Sequence, residues 1–183
     1  MKMFLLMFYA MFCITVIQAQ NNTSQDDNTN RFERENLNIR LGPEAGFPLG
    51  KMNNTQALGI GASALLDIPV ARRFSIIGYI GYISFAGDKM PSSTNKYSRT
   101  SVIPIRAGIN YKLTPNFYAT AQLGQATVKY LNVSQSGVSQ ALGLGYFNGS
   151  LDVSARWDHQ YVHGGLSSFI VKVAYVIEIG LKK

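Results

Sequence analysis

The amino-acid sequence predicts an all-β protein, an eight-stranded antiparallel up-and-down transmembrane β-barrel with its apolar residues facing outward. Three observations support this fold class. Eight strand-like segments recur along the chain, and in six of them apolar and polar residues alternate clearly. The connections between these segments alternate between short and long. The charged residues on the polar faces sum to zero, as expected for residues that must pair inside a narrow barrel.

The final segment shows the clearest alternation. From Phe169 to Leu181 every second residue is apolar, over a stretch about twice as long as a typical soluble strand and long enough to cross a bilayer at a tilt. The segment 74–86 is apolar on both faces, and 117–130 alternates cleanly only as far as Gly124. The eight predicted strands lie near residues 37–44, 58–68, 74–86, 103–113, 117–130, 138–147, 151–158 and 169–181.

The connections predict which end of the barrel each loop occupies. Short connections fall at 69–73, at 114–116 and at Asn148-Gly149, which favours a two-residue type I′ hairpin. Short periplasmic turns that alternate with longer outer loops, on an even number of strands, are typical of bacterial outer-membrane barrels. The longer connections are predicted at 50–56, 87–100, 131–137 and 161–167.

Charge on the polar faces indicates which face is inside. An eight-stranded barrel can also be soluble with an apolar interior, as in lipocalins, and its polar face would then carry many Lys and Glu and little Gly. Here the polar faces combine small residues with equal numbers of basic and acidic residues, and a buried charge requires a partner. The predicted interior charge network consists of Arg40, Arg106, Lys112, Arg156 and Lys172 with Glu44, Asp67, Asp152, Asp158 and Glu178.

Aromatic residues support the membrane interpretation. Most lie near strand ends or on the apolar faces, where aromatic girdles meet the membrane interface. The predicted girdle residues are Tyr79, Tyr82, Tyr111, Phe117, Tyr146, Trp157, Phe169 and Tyr175.

The N-terminal residues predict export. Residues 1–19 combine Lys2, an apolar run of about 15 residues and the small residue Ala19, which is typical of a cleaved signal peptide and shorter than the ~20 residues of a spanning helix. Residues 20–35 are polar and are expected to form a flexible periplasmic leader before a barrel domain at 36–183. Cys13, the only cysteine, lies in the expected signal peptide, so the exported domain would have no disulfide and no cysteine-based metal or redox site.

The chain resembles the small outer-membrane β-barrel proteins of the OmpA/OmpX-like type. The resemblance rests on the signal ending Ile17–Gln20, on the glycine-rich strands Leu58–Ala62 and Leu142–Tyr146, and on the final amphipathic strand, and it covers residues 36–183. It implies a monomer that meets outer-membrane lipid, lipopolysaccharide and the outer-membrane assembly machinery, with a role in envelope integrity, adhesion or host contact. Such barrels commonly end in an aromatic residue, whereas this chain ends in Leu181-Lys182-Lys183.

The predicted function is therefore that of an integral outer-membrane barrel protein with a structural or surface-interaction role. Eight strands enclose an interior just wide enough for side chains to fill, which predicts a plugged, non-conducting barrel. Nucleic-acid binding is not expected, because the basic residues are scattered. A nucleotide-binding loop is not expected either, because no glycine-rich stretch precedes a helix. The predicted function includes no enzymatic activity, cofactor or metal site.

The predicted outer loops carry a local excess of positive charge. These loops contain five basic residues and one acidic residue, Asp88, and they would lie next to a leaflet whose headgroups bear phosphates. The excess predicts contacts with lipopolysaccharide phosphates, although a simple solvated loop surface would show the same pattern. The five basic residues are Lys51, Lys89, Lys96, Arg99 and Lys129.

Two alternative functions remain open on the sequence. Asp158, His159, His163, Ser167 and Ser168 lie around the last predicted outer loop, and an acid, a histidine and a serine together permit a lipid A-modifying acyl hydrolase or transferase. A metal site on the two histidines would lack a third ligand. The other alternative, a soluble lipocalin-like ligand-binding barrel, requires the opposite facing of every strand.

Overall fold

The computed structural model describes residues 37–89, 97–131, 133–162 and 165–180, and it confirms the predicted fold class. Eight antiparallel strands form a closed barrel in which each strand pairs with the next and β8 pairs with β1. The predicted signal peptide and leader lie outside the described residues. The strands are β1 Leu37–Leu49, β2 Gln56–Ala71, β3 Phe74–Gly87, β4 Thr100–Lys112, β5 Phe117–Tyr130, β6 Val133–Asn148, β7 Leu151–Gln160 and β8 Leu166–Ile179.

The barrel has two different ends. The turn end carries the connections at 72–73, 113–116 and 149–150, together with the start of β1 and the end of β8. The predicted hairpin is present but shifted by one residue: Asn148 pairs with Leu151, so the two loop residues are Gly149 and Ser150. Gly149 alone has a positive φ, of 60°, which fits a type II′ turn with glycine first rather than the predicted type I′ turn at Asn148-Gly149. The loop end carries the other four connections, of which the first contains a short 3-10 helix at Gly50–Asn54. No helix among the described residues is long and apolar enough to cross a membrane.

The predicted length of one loop is wrong. The connection expected at 131–137 is only two residues long, because the pairing of β5 with β6 continues as far as Tyr130 and Val133. The outward side chains of this extension are polar, and the hydroxyls of Thr127 and Ser136 are 2.9 Å apart across the two strands. The backbone ladder therefore continues where the alternation of apolar and polar residues has ended.

The apolar side chains face outward. Ile60 is 68% exposed and Leu123 is 62% exposed, whereas Asp67 and Arg106 on the other face of the sheet are buried. On β3 this apolar belt extends from Phe74 to Tyr82, which at ~3.4 Å per residue and a tilt of ~40° is roughly 20 Å tall and close to the ~25 Å band of outer-membrane barrels. The apolar side chains thus face outward, as predicted, whereas in a lipocalin they face the interior.

Aromatic residues mark the edges of the belt, with one exception. At the turn end the rings of Phe74 and Tyr111 lie 4.8 Å apart, and Phe117 and Tyr146 form a second ring pair at 5.0 Å. The prediction that Tyr79 belongs to the girdle is wrong, since its side chain points into the barrel and is only 3% exposed. Because β3 is apolar on both faces, its alternation alone did not indicate which residues point inward.

The interior is layered along the barrel axis. The inward residues of the turn-end half are mostly polar or charged, and those of the loop end form an apolar cluster. Phe85 of this cluster packs against the backbone of β2, where a Cβ added to Gly59 would lie 2.6 Å from the ring. The buried members of the apolar cluster are Met52, Ile83, Phe85, Val102, Ala126, Val128, Val162 and Ile170.

Candidate functional site

The middle of the barrel holds a chain of ion pairs centred on Arg156. Its guanidinium forms a bidentate pair with Glu44, with Nη1 2.9 Å from Oε1 and Nη2 2.8 Å from Oε2. Its Nε lies 2.9 Å from Oδ1 of Asp158, whose Oδ2 lies 3.0 Å from Nη1 of Arg106. Four charges from β1, β4 and β7 are thereby joined across the interior.

Tyr79 completes this arrangement and was missed as a site residue. Nη2 of Arg156 donates a hydrogen bond of 2.6 Å to the Tyr79 hydroxyl, which donates to Oε2 of Glu44 at 3.0 Å. The guanidinium carbons of Arg106 and Arg156 lie 4.5 and 4.6 Å from the centre of its ring, within cation–π distance. No local signal identified Tyr79, because β3 carries one serine on each face, Ser75 inward and Ser84 outward.

A second set of ion pairs lies nearer the turn end. Arg40 pairs with Asp67 on β2 and with Asp152 on β7, where Nη1 lies 2.7 Å from Oδ2. The Tyr118 hydroxyl donates to the same Asp152 oxygen at 2.8 Å, and Asn110 Nδ2 donates to Asp67 at 3.1 Å. This set ties β1, β2, β4, β5 and β7 together.

Eight of the ten predicted network residues are buried in the barrel, four of each sign. Lys172 is among them, opposite Glu44 in the β1–β8 register and with Nζ 5.9 Å from the Tyr79 ring centre. Lys112 is half-buried at the end of β4. The placement of Glu178 in the interior is wrong, because it is exposed at the end of β8, beyond the last buried residue Val176. The eight buried charged residues, named the ion-pair cluster below, are Arg40, Arg106, Arg156 and Lys172 with Glu44, Asp67, Asp152 and Asp158. All except Lys172 form an ion pair, and the Nζ of Lys172 has no hydrogen-bond partner among the described residues.

The predicted basic residues of the outer loops are only partly brought together. Lys129 is exposed on the outer face of β5, directly opposite Ser101 of β4, and the exposed Arg99 lies two residues before Ser101. Lys89 is exposed beyond the end of β3. Lys96 and the side chain of Lys51 lie outside what the structure describes.

The residues of the hydrolase hypothesis separate onto two faces. His159 and Ser167 are cross-strand neighbours on the outer face, with Nδ1 2.7 Å from Oγ. Asp158 and Ser168 point inward, and Asp158 is occupied by the two arginines. His163 lies outside the described residues. Within the described part of the chain, no three His, Cys, Asp or Glu residues are grouped so that they could hold a metal ion.

A closed barrel with an apolar outer face and an ion-paired interior defines the class of small transmembrane β-barrels. No family model matches the chain, and no curated protein matches it. Similar solved structures include the outer membrane protein Ail of Yersinia pestis in a nanodisc, with a TM-score of 0.58 at 10% identity over 78% of this chain and 100% of that chain. Neisserial surface protein A gives 0.51 at 13% identity over 78% of this chain and 97% of its own. OprG of Pseudomonas aeruginosa gives 0.50 at 11% identity over 79% and 97%.

At these identities the similarity concerns the fold. The chain has the fold of the small eight-stranded outer-membrane barrels, which confirms the resemblance predicted from the sequence.

Proposed function

We propose that this chain is an integral outer-membrane protein with a structural or surface-interaction role, a non-conducting interior and its loop end facing outward. The observation that carries the proposal is the inverted polarity of the barrel. An exposed apolar belt around the whole circumference would cause aggregation in water but is stable in hydrocarbon. The charges inside are four positive and four negative, so they neutralise one another without solvent.

The similar structures support the surface role within the same proposal. One of them is described as the attachment invasion locus protein and another as a surface protein. Both have the fold of this chain, and neither description names an enzymatic activity. A soluble ligand-binding barrel would need the opposite facing of its strands.

Detergent dependence and heat-modifiable migration test the proposal together. The purified chain should require detergent for extraction, and the unheated sample should migrate differently from the boiled one on a gel, because a closed barrel resists the detergent of the gel. A preparation that remains a folded monomer in aqueous buffer without detergent would contradict the membrane location.

We further propose that Arg99 and Lys129 contact lipopolysaccharide phosphates. They lie next to each other beyond the loop-end edge of the apolar belt, which on β4 falls between Ile103 and Ser101 and on β5 between Leu123 and Gln125. The phosphates of an outer leaflet would lie at that height. We propose the same phosphate contacts for the other three basic residues of the loop-end connections, Lys51, Lys89 and Lys96.

Co-purification of lipopolysaccharide measures these contacts. Replacing the five basic residues with Gln should lower the bound lipopolysaccharide by roughly fivefold or more, since each exposed ion pair contributes up to about 1 kcal/mol. The matched control is Arg72→Gln with Arg73→Gln, two exposed cations at the turn end, which should leave the amount unchanged. An equal amount of lipopolysaccharide in both variants would overturn the proposal.

A lipid acyl hydrolase or transferase is a second candidate function. It is favoured by the contact between His159 and Ser167, which places a base beside a hydroxyl on the lipid-facing surface. Expression of the protein should then alter the lipid A profile, and Ser167→Ala and His159→Asn should abolish the change, while Ser134→Ala on the same outer surface should not. An unaltered profile on expression of the unmodified protein rejects this candidate.

A further inference from the structure

A cavity of about 470 Å³ lies at the loop end of the barrel. Its volume falls within the ~300–1,000 Å³ of small-molecule sites in proteins. Among the described residues that line it, none belongs to the ion-pair cluster and none is charged. Part of the wall is the apolar cluster, through Met52, Val128 and Val162, and Leu166 packs beside them.

The cavity is closed toward the middle of the barrel. Phe85, Val102 and Ile170 of the apolar cluster are almost fully buried. On their own strands, Val102 lies one inward position and Ile170 two inward positions nearer the turn end than the cavity-lining Thr100 and Leu166. Phe85 is the register partner of Thr100 on β4. A molecule in the cavity would therefore rest on this apolar floor, apart from the ion-pair cluster.

One polar side chain in the wall has an unused hydrogen-bonding atom. Gln56 is only 4% exposed, and its Nε2 donates to the carbonyl of Ser98 at 3.2 Å. Its Oε1 is buried and has no hydrogen-bond partner among the described residues. A buried amide oxygen without a donor is unfavourable, and the last torsion of a Gln side chain rotates easily, so a small rotation would present this acceptor to a ligand in the cavity.

We propose that this cavity binds a small, neutral, mainly apolar molecule that carries one hydrogen-bond donor, and that the donor binds Oε1 of Gln56. The side chains of Met52, Val128 and Val162 suit an apolar body. An ionised ligand is disfavoured, because the described lining offers no opposite charge to compensate its desolvation. The donor on the ligand supplies orientation, as few polar groups do in otherwise apolar pockets.

A pair of probes that differ only in the donor tests the proposal. Indole has an apolar ring and one N–H, and 1-methylindole has the same ring with the N–H replaced. The full chain is reconstituted in phospholipid nanodiscs, and the methyl signals of Met52 and Leu166 are followed by NMR during titration with each probe. The methyl signal of Ile60 on the apolar belt reports simple partitioning into lipid.

Indole should shift the Met52 and Leu166 signals saturably, and 1-methylindole should bind at least about tenfold more weakly, the difference expected for one buried hydrogen bond. Gln56→Leu should reduce indole to the affinity of 1-methylindole and leave 1-methylindole unchanged. Val128→Phe, which fills the cavity, should weaken both probes. Each variant is first shown to keep its heat-modifiable migration.

Three outcomes would overturn the proposal. The Met52 signal could shift no more than the Ile60 signal, the two probes could bind equally well, or Gln56→Leu could leave the affinity for indole unchanged. Loss of heat-modifiable migration in the unmodified chain would instead contradict the proposed membrane function, so the two failures are distinguishable.

Discussion

Arg156 is the residue on which the largest set of interior contacts converges. Its guanidinium contacts Glu44, Asp158 and the hydroxyl of Tyr79, all of which are buried. Loss of this side chain would leave two carboxylates without their nearest cation in a site from which water is largely excluded. Removal of one partner of a buried pair is much more costly than removal of both.

Arg156→Met should lower the free energy of unfolding by about 3–5 kcal/mol, the usual cost of a buried charge without its partner. Urea unfolding of the barrel in lipid vesicles measures the change. The double variant Arg156→Met with Glu44→Gln should be less destabilised than the sum of the single variants, because the carboxylate left behind is then neutral. Additive effects would show that the pair is not coupled.

At the scale of the element, β3 sets the shape of the interior. It directs Tyr79 into the ion-pair cluster and Phe85 into the apolar cluster, and a glycine lies beside each ring, Gly81 of β3 itself beside Tyr79 and Gly59 of β2 beside Phe85. Gly59 on β2 faces the Phe85 ring with no room for a methyl group. Gly78 on β3 itself points outward, and an added Cβ would meet no atom within 4 Å.

Gly59→Ala should therefore destabilise the barrel by about 1–3 kcal/mol, the range for overpacking a filled interior, while Gly78→Ala should be nearly neutral. The same unfolding assay compares the two glycine variants. Phe85→Leu should recover part of the loss in Gly59→Ala, since it removes the ring with which the methyl group collides. Equal effects at Gly59 and Gly78 would mean that the ring does not determine the need for glycine.

The elements also show what the sequence could and could not predict. The facing of β8 and β4 followed from their alternation, because the outward face of each is a run of apolar residues and the inward face carries the charged ones, Lys172 and Arg106. The facing of β3 could not be predicted, since both of its faces are apolar. The start of β6 at Val133 could not be predicted either, since the residues that follow it, Ser134 to Ser136, are polar on both faces.

Within the candidate site, the residues on the polar faces were predictable but their partners were not. Glu44 and Arg156 are 112 positions apart and meet because the closed barrel brings β1 and β7 within reach of each other. The pairing depends on barrel radius and strand stagger, which no local pattern encodes. The cavity at Gln56 depends in the same way on residues from several strands.

At the scale of the whole molecule, two different barriers stand in series along the axis. The ion-pair cluster fills the middle of the barrel with charged side chains, and the apolar cluster lies between it and the loop end. An ion would have to displace paired charges at the first barrier and lose its hydration at the second. Under the proposed non-conducting function, we expect each barrier alone to prevent conduction.

The unmodified protein should show no conductance steps in a planar bilayer, and neither should Arg156→Ala or Phe85→Ala alone. The double variant should conduct, because both barriers are then opened. Each protein is checked for heat-modifiable migration before recording. Steps from the unmodified chain, or a double variant that folds and remains silent, would contradict the two-barrier interpretation.

The pairing of β1 with β8 joins the first strand of the barrel to the last. Until residues 166–179 are in place, β1 and β7 each present a row of unsatisfied amide and carbonyl groups, and such edges cannot persist in hydrocarbon. If the protein lies in a membrane as proposed, we therefore expect insertion of the last strand and sealing of the cylinder to occur late and together.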